Sequence, residues 1–354
     1  QNAAVAAMQN LPDFYTDKNG LHQPQGAIVA MNPHNGYIVA MVGGRGDDAF
    51  NRATQAERQP GSAMKPFVYL AAIQSGKTPG SIVEDSPVSF GSWSPKNYEN
   101  DYEGSMTYRY ALQHSRNVAA VKIADEVGMT KVIKLAKEMG ISTLTDQDYN
   151  LSTALGGLTH GVTPLEMVQA YGVLANGGIK VQPTAILKIV DRNGQVVEEN
   201  SIQEKRVVDE KDAAIITNML ESVINGGTGG NAAIGRPAAG KTGTTDDSKD
   251  AWFVGYTPDL VAAVWIGDDY GSETLRGITG GDTPAIMWGQ FMANALANTP
   301  ASDFPVPSSA QSAIAEGYFN PVKVQPKKDD KKDDKADKKD DKDKQKDEKV
   351  KEED

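Results

Sequence analysis

Apolar positions recur along this chain with two different periods, and the periods divide it into strands and helices. Ala27-Ile28-Val29-Ala30-Met31 and Tyr37-Ile38-Val39-Ala40-Met41-Val42 flank Asn35-Gly36, a dipeptide suited to a tight turn, so they predict a β-hairpin. Residues 251–256 and 260–265, joined through Pro258-Asp259, predict a second antiparallel pair. A smaller hairpin, with Asn193-Gly194 at its tip, falls between residues 186 and 197. Elsewhere the spacing is helical. Helices are predicted over residues 62–73, 108–127 and 130–139, the last with Val132, Ile133, Leu135, Ala136 and Met139 on one face. Thr163-Pro164-Leu165-Glu166 is a capping box with proline at the first helical position, so a helix begins there and runs to about Ala175. Residues 212–224 read as a last long helix, stopped by Gly226-Gly227. Strands near both ends with helices between them predict an α+β fold: an antiparallel sheet of about five strands covered by helices, with a helical subdomain.

Composition narrows the class without naming it. The 354 residues suffice for one large domain or two ordinary ones. Thirty-six Lys and Arg against 47 Asp and Glu leave a net charge of −11, which argues against nucleic acid as a partner. With no cysteine there is no disulfide framework, thiolate metal site or Cys nucleophile. No apolar run reaches the roughly 18–20 residues needed to span a bilayer. Gln1-Asn2-Ala3-Ala4 has no signal-peptide pattern, and the missing initial Met suggests a fragment whose targeting segment has been removed. Residues 327–354 hold 12 basic and 13 acidic residues with almost nothing apolar, the composition of a disordered polyampholyte. Residues 299–326, rich in Pro, Ser and Ala, read as a linker to that tail, residues 25–298 as the main domain, and residues 1–24 as a connecting segment.

Three short strings carry the chemistry. In Gln59-Pro60-Gly61-Ser62-Ala63-Met64-Lys65-Pro66, the Pro-Gly turn sets Ser62 near a helix N-terminus, where free N–H groups favour developing negative charge. Lys65 lies one helical turn on, among Met64, Pro66 and Phe67, and can act as the base for a Ser62 nucleophile. A lysine with a reference pKa of ~10.4 is a poor base at pH 7, each unit costing ~1.36 kcal/mol. Burial and a second cation, for which Lys241 is the candidate, would both lower it. Ser115-Arg116-Asn117, inside the predicted helix 108–127, offers a hydroxyl to pass a proton and an amide to hold substrate and lysine in register. Four histidines, His22, His34, His114 and His160, supply no rival triad; His114 adjoins Ser115, and neighbours on a helix do not face each other.

Lys241-Thr242-Gly243-Thr244 is the third string. The stretch from Gly235 to Thr242 fits the G-x-x-x-x-G-K-[ST] phosphate-loop pattern, but β-branched residues and a polar loop follow where that loop requires a helix. As an edge strand it places Thr242 and Thr244 on one face beside Lys241, a set suited to a substrate carboxylate, while Gly243 allows close approach of a ligand. The backbone N–H groups of Ser62 and Thr244 can together form an oxyanion hole. Gly226-Gly227-Thr228-Gly229-Gly230 has the composition of an anion cradle but reads first as a flexible helix stop, and Asp246, Asp247, Asp250, Asp268 and Asp269 read as solvated loop charges and not a metal site. Trp252 and Trp265 read as core.

The strings S-x-x-K, S-x-N and K-T-G in this order are the signature of penicillin-binding proteins and class A β-lactamases. Together with Gly26-Ala27-Ile28-Val29-Ala30-Met31-Asn32-Pro33, Phe50-Asn51-Arg52-Ala53-Thr54-Gln55-Ala56, Gly161-Val162-Thr163-Pro164-Leu165-Glu166-Met167 and Asp250-Ala251-Trp252-Phe253-Val254-Gly255-Tyr256, they make residues 25–293 resemble the transpeptidase domain of a class A, bifunctional penicillin-binding protein. The resemblance implies a penicillin-binding/transpeptidase-like fold and a cofactor-free D,D-transpeptidase. Ser62 would be acylated by the D-Ala-D-Ala end of a peptidoglycan stem peptide, or by a β-lactam, and an acceptor amine on a neighbouring strand would take the acyl group. It also implies a longer protein, with a glycosyltransferase domain and a membrane anchor, working at the extracytoplasmic face of the bacterial membrane. A D,D-carboxypeptidase, a serine β-lactamase and a non-turnover penicillin sensor share the motifs. Glu166, the obvious candidate for a deacylating carboxylate, is accounted for by its capping box.

Overall fold

A computed structural model of the chain describes residues 1–318 except positions 47, 246, 272 and 317; the Lys/Asp tail and the end of the stretch read as linker lie outside the described residues. Numbered along the chain, the strands that concern the site are β1 (Gln25–Met31), β2 (Ile38–Val42), β3 (Ile82–Asp85), β4 (Gly104–Thr107), β5 (Ala239–Thr244), β6 (Asp250–Tyr256) and β7 (Val261–Gly267). The central sheet has five strands in the order β5-β6-β7-β1-β2, every pair antiparallel. Both predicted strand pairs are present, and β7 against β1 closes the sheet between the two ends of the chain. The small hairpin pairs Lys188–Val190 with Val196–Glu199.

The apolar runs are continuous because both faces of the sheet are covered. Alternation sends Ala27, Val29 and Met31 of β1 to one core, and Ile28 and Ala30 to another. The first core is roofed by α1 (Lys65–Gln74), α2 (Tyr108–Gln113), α3 (Asn117–Val127), α4 (Met129–Met139), α5 (Pro164–Ala175) and α6 (Glu210–Ile224). The second lies under α7 (Thr283–Ala295), which contributes Met287, Trp288, Phe291 and Met292. Trp252 and Trp265 are fully buried and directly opposed across β6 and β7. The capping box of α5 forms as predicted, with Thr163 and Glu166 bonded reciprocally.

Four expectations need correction. Residues 212–224 are not the last long helix: α7 follows, and it escapes a 3.6-residue pattern because it is apolar nearly all round. Part of the stretch read as linker is helical, α8 (Ser308–Glu316), with Ala310 buried in the first core. The predicted helix 108–127 is two helices. α2 ends at Gln113, Ser115 takes a left-handed φ of 55°, and α3 starts at Asn117. The bonds Arg116 N–H to Ala111 O (2.9 Å) and Ser115 N–H to Leu112 O (3.1 Å) form a Schellman stop, with serine where glycine is usual. Among the acidic residues, Asp250 and Asp269 are not solvated: Asp250 pairs with Arg58 at 2.7 Å, Asp269 binds the buried Arg52, and Asp268 is itself buried against Tyr15.

Candidate active site

The turn that carries Ser62 is fixed from several sides before the helix begins. Gln59 exchanges two hydrogen bonds with the Leu158 backbone (2.8 and 2.7 Å), and its carbonyl accepts from Trp252 Nε1 at 2.9 Å. Gly61–Met64 then forms one 3₁₀ turn leading into α1, and the Ala63 carbonyl accepts from the buried Tyr171 hydroxyl at 2.8 Å. Gly61 has a φ of 54°, and a Cβ there would lie 2.4 Å from the Thr244 carbonyl oxygen. A Cβ on Gly243 would lie 2.3 Å from the Pro60 carbonyl oxygen. The serine turn and the end of β5 are thus in backbone contact, and only glycine permits it at either position. The close approach at Gly243 is to this turn, where the sequence suggested a ligand.

Ser62, Ser115, Asn117, Thr242 and Thr244 all line one cleft of about 310 Å³. Lys65 and Lys241 lie beneath it, both fully buried. Their ammonium groups meet at one oxygen: Lys241 Nζ is 2.8 Å and Lys65 Nζ 3.1 Å from Ser115 Oγ. Lys65 also donates to the Ser115 carbonyl and, at 2.6 Å, to Asn117 Oδ1. Lys241 reaches the Thr242 carbonyl and hydroxyl at 3.1 and 3.2 Å. Burial pushes the Lys241 amine down to about 7. The sequence cast Lys241 as a standing cation for tuning Lys65, but near neutral pH its own charge is in balance.

The left-handed backbone at Ser115 is what allows this junction. It ends α2, turns the hydroxyl towards both lysines, and begins α3 with Asn117. It also removes the reason given for setting His114 aside, since Ser115 is not on a helix. His114 does line the cleft, half-buried against the Tyr110 ring (centroids 4.2 Å apart), and desolvation lowers its pKa. The Ser115 hydroxyl is nevertheless engaged by the lysines.

Two further hydroxyls line the cleft. Thr228 and Thr242 share a 2.8 Å hydrogen bond between their hydroxyls, and Thr279 lines the wall beyond. Thr228 belongs to the glycine-rich stretch read first as a helix stop, with an anion cradle as its alternative, and it lines the cleft. Thr244 Oγ1 accepts from the Gly280 N–H at 3.0 Å. The phosphate-loop pattern is dissolved by the strand itself, since Gly240, Lys241 and Thr242 are interior residues of β5. Glu166 accepts from Ser142 N–H and Oγ–H (2.7 and 2.6 Å), Thr143 N–H (3.1 Å) and Thr163 N–H (2.9 Å), a structural role away from the cleft.

Comparison with known proteins identifies the family. Residues 26–274 match the penicillin binding protein transpeptidase domain model. The chain is 36% identical over 337 residues to penicillin-binding protein 1A of Rickettsia typhi, covering 86% of this chain and 42% of that protein. It is 40% identical over 292 residues to penicillin-binding protein 1A of Aquifex aeolicus, covering 80% and 40%. The chain therefore spans well under half the length of these relatives. Among solved structures, penicillin-binding protein 1A from Haemophilus influenzae superposes with a TM-score of 0.76 at 30% identity, over 83% of this chain and 52% of that one. PonA1 from Mycobacterium tuberculosis in complex with penicillin V superposes with a TM-score of 0.77 at 31% identity, over 87% and 86%. Motif geometry, sequence similarity and fold converge, and the chain belongs to the penicillin-binding protein transpeptidase family, with class A 1A proteins as its relatives.

Proposed function

We propose that this chain is the D,D-transpeptidase unit of a class A penicillin-binding protein, acting through an acyl-enzyme on Ser62. The observation that carries the reading is the Ser115 hydroxyl held between two buried lysines, in the same cleft as Ser62. Lys65, in its neutral form, takes the Ser62 proton as Oγ bonds to the penultimate D-Ala carbonyl carbon of a stem peptide. The N–H groups of Ser62 and Thr244 hold the oxyanion, each such donor being worth about 2.7–4 kcal/mol. Collapse breaks the C–N bond, and the departing D-alanine amine receives the proton from Lys65 through the Ser115 hydroxyl. The acceptor amine then runs the same path backwards. It gives a proton to the relay, forms a C–N bond at the ester carbonyl and releases Ser62 Oγ, which is reprotonated. Lys241, Thr242 and Thr244 take the substrate carboxylate, whose charge draws Lys241 back to its protonated form. Asn117 orients both Lys65 and the peptide. No cofactor enters.

β-Lactams would acylate Ser62 as substrate mimics, in line with the penicillin V complex of the M. tuberculosis relative. The greater length of the relatives supports a longer full protein, which would carry the glycosyltransferase domain and membrane anchor that the class A resemblance implies and work outside the cytoplasm. Incubation with a fluorescent penicillin, followed by intact-mass measurement, tests the reading. A long-lived adduct and cross-linked product from stem-peptide donor and acceptor support transpeptidation. Rapid turnover of the adduct would make the chain a β-lactamase. Release of D-alanine without cross-link would make it a carboxypeptidase, and an adduct without any peptide turnover a sensor.

A further inference from the structure

The turn bearing Ser115 and Asn117 is held by residues far from either in sequence, and their arrangement goes beyond support of a helix end. The first residue outside α3, Arg116, provides no side-chain cap. Asn97, 20 residues upstream, supplies one: its Oδ1 accepts from the N–H of Asn117 (2.9 Å) and of Val118 (3.1 Å). The neighbouring Lys96 carbonyl accepts from Asn117 Nδ2 at 2.9 Å, which points Asn117 Oδ1 at Lys65. Asn97 is held in turn. Its Nδ2 donates to Asp85 Oδ1 and to the Asp101 carbonyl, both at 2.8 Å.

Asp85, fully buried at the end of β3, is the hub. Its second oxygen accepts from Arg116 Nε (2.9 Å) and Nη2 (2.7 Å) and from the Glu103 N–H (3.1 Å). Arg116, the middle residue of the second motif, also pairs with Asp101 at 2.9 Å and Glu103 at 3.1 Å. One carboxylate thus ties the middle of the Ser115–Asn117 turn directly, and the start of α3 through Asn97, to the loop between β3 and β4. That same loop puts Asn97, Tyr98 and Glu103 on the cleft wall.

We infer that Asn97 and Asp85 are positioning residues for acyl transfer, setting the orientation of Asn117 and Ser115 towards Lys65; this rests on the transpeptidase reading. A buried Asn with every donor and acceptor used has one geometry, and the proton relay takes its geometry from it. A misplacement of about 1 Å in such a relay costs roughly 10²-fold in rate.

The test separates the pre-covalent dissociation constant for a fluorescent penicillin from the acylation rate constant, and also reads the fraction of molecules finally acylated. Asn97→Ala is expected to reach full occupancy with an acylation rate constant at saturating penicillin about 10²-fold lower, any weakening of the pre-covalent complex through Asn117 being read separately in the dissociation constant. Asn97→Asp faces Asp85 directly, with Asp101, Glu103 and Arg116 around it. Its deficit relative to wild type at the same pH is expected to shrink between pH 8 and pH 5, as a protonated carboxyl restores the donor to Asp85. A merely structural role would instead lower the acylated fraction and leave the rate of the reacting molecules intact. Wild-type acylation rates in Asn97→Ala overturn the inference. Should that variant not fold, a pH-independent deficit in Asn97→Asp overturns it. In either case normal labelling of wild type at Ser62 leaves the transpeptidase reading standing, and no labelling of wild type would remove that reading separately.

Discussion

Gly61→Ala puts the contact between the serine turn and β5 under direct strain. The new methyl would sit 2.4 Å from the Thr244 carbonyl oxygen, 2.8 Å from its carbon and 3.0 Å from its nitrogen, all backbone atoms. Ordinary carbon–oxygen contact needs about 1 Å more than the shortest of these, so the turn and the strand must part by roughly that amount. Holding alanine at a φ of 54° adds about 1–2 kcal/mol. The fold, with two extensive cores, absorbs a cost of this size. The proposed oxyanion hole would not, because its two N–H groups, of Ser62 and Thr244, would come one from each side of the contact. Losing one donor costs about 2.7–4 kcal/mol, or 10²–10³ in rate. The variant should therefore unfold a few degrees lower, bind penicillin pre-covalently, and acylate at least about 10²-fold more slowly in a stopped-flow assay. Acylation within a few-fold of wild type, in a folded Gly61→Ala protein, would show that Ser62 and Thr244 do not share an oxyanion.

Other outcomes follow from the lysine junction. Lys65→Ala should abolish acylation while circular dichroism stays unchanged; a retained rate removes Lys65 as the base. Ser115→Ala and Ser115→Gly both lose the relay hydroxyl and should both lose cross-linking. Glycine avoids the left-handed penalty at φ 55° but has the freer unfolded chain, which leaves it the more stable of the two by up to about 1 kcal/mol in thermal melts. Equal melting points would mean that the turn stores no strain. Lys241 has a folded pKa lowered to about 7 from 10.5, so between those values the unfolded chain binds more protons than the fold. Stability from this site accordingly rises with pH across that window. Lys241→Met should gain melting temperature relative to wild type at pH 7 and lose that advantage towards pH 10; a pH-independent difference contradicts the assignment.

Much of this architecture was legible because the strands are continuous apolar runs with turn dipeptides between them, and the α5 cap is local to four residues. The nucleophile string and the K-T-G string were legible for the same reason: each is contiguous and needs only one element to present it. What stayed hidden was set by distance in sequence. No glycine or proline marks the break at Ser115, because a serine occupies the left-handed position and a cap 20 residues away completes α3. Asp250 and Asp269 look like loop charges until Arg58 and Arg52, some two hundred residues earlier, are laid against them. The bond from Thr228 to Thr242 likewise joins two different elements.

Peptide mapping by mass spectrometry after brief exposure to penicillin reads which residue carries the acyl group. One penicilloyl group is expected, on the peptide holding Ser62, absent in Ser62→Ala and retained through overnight dialysis. Attachment at Ser115 or elsewhere, or an unmodified wild-type chain, would contradict the Ser62 acyl-enzyme.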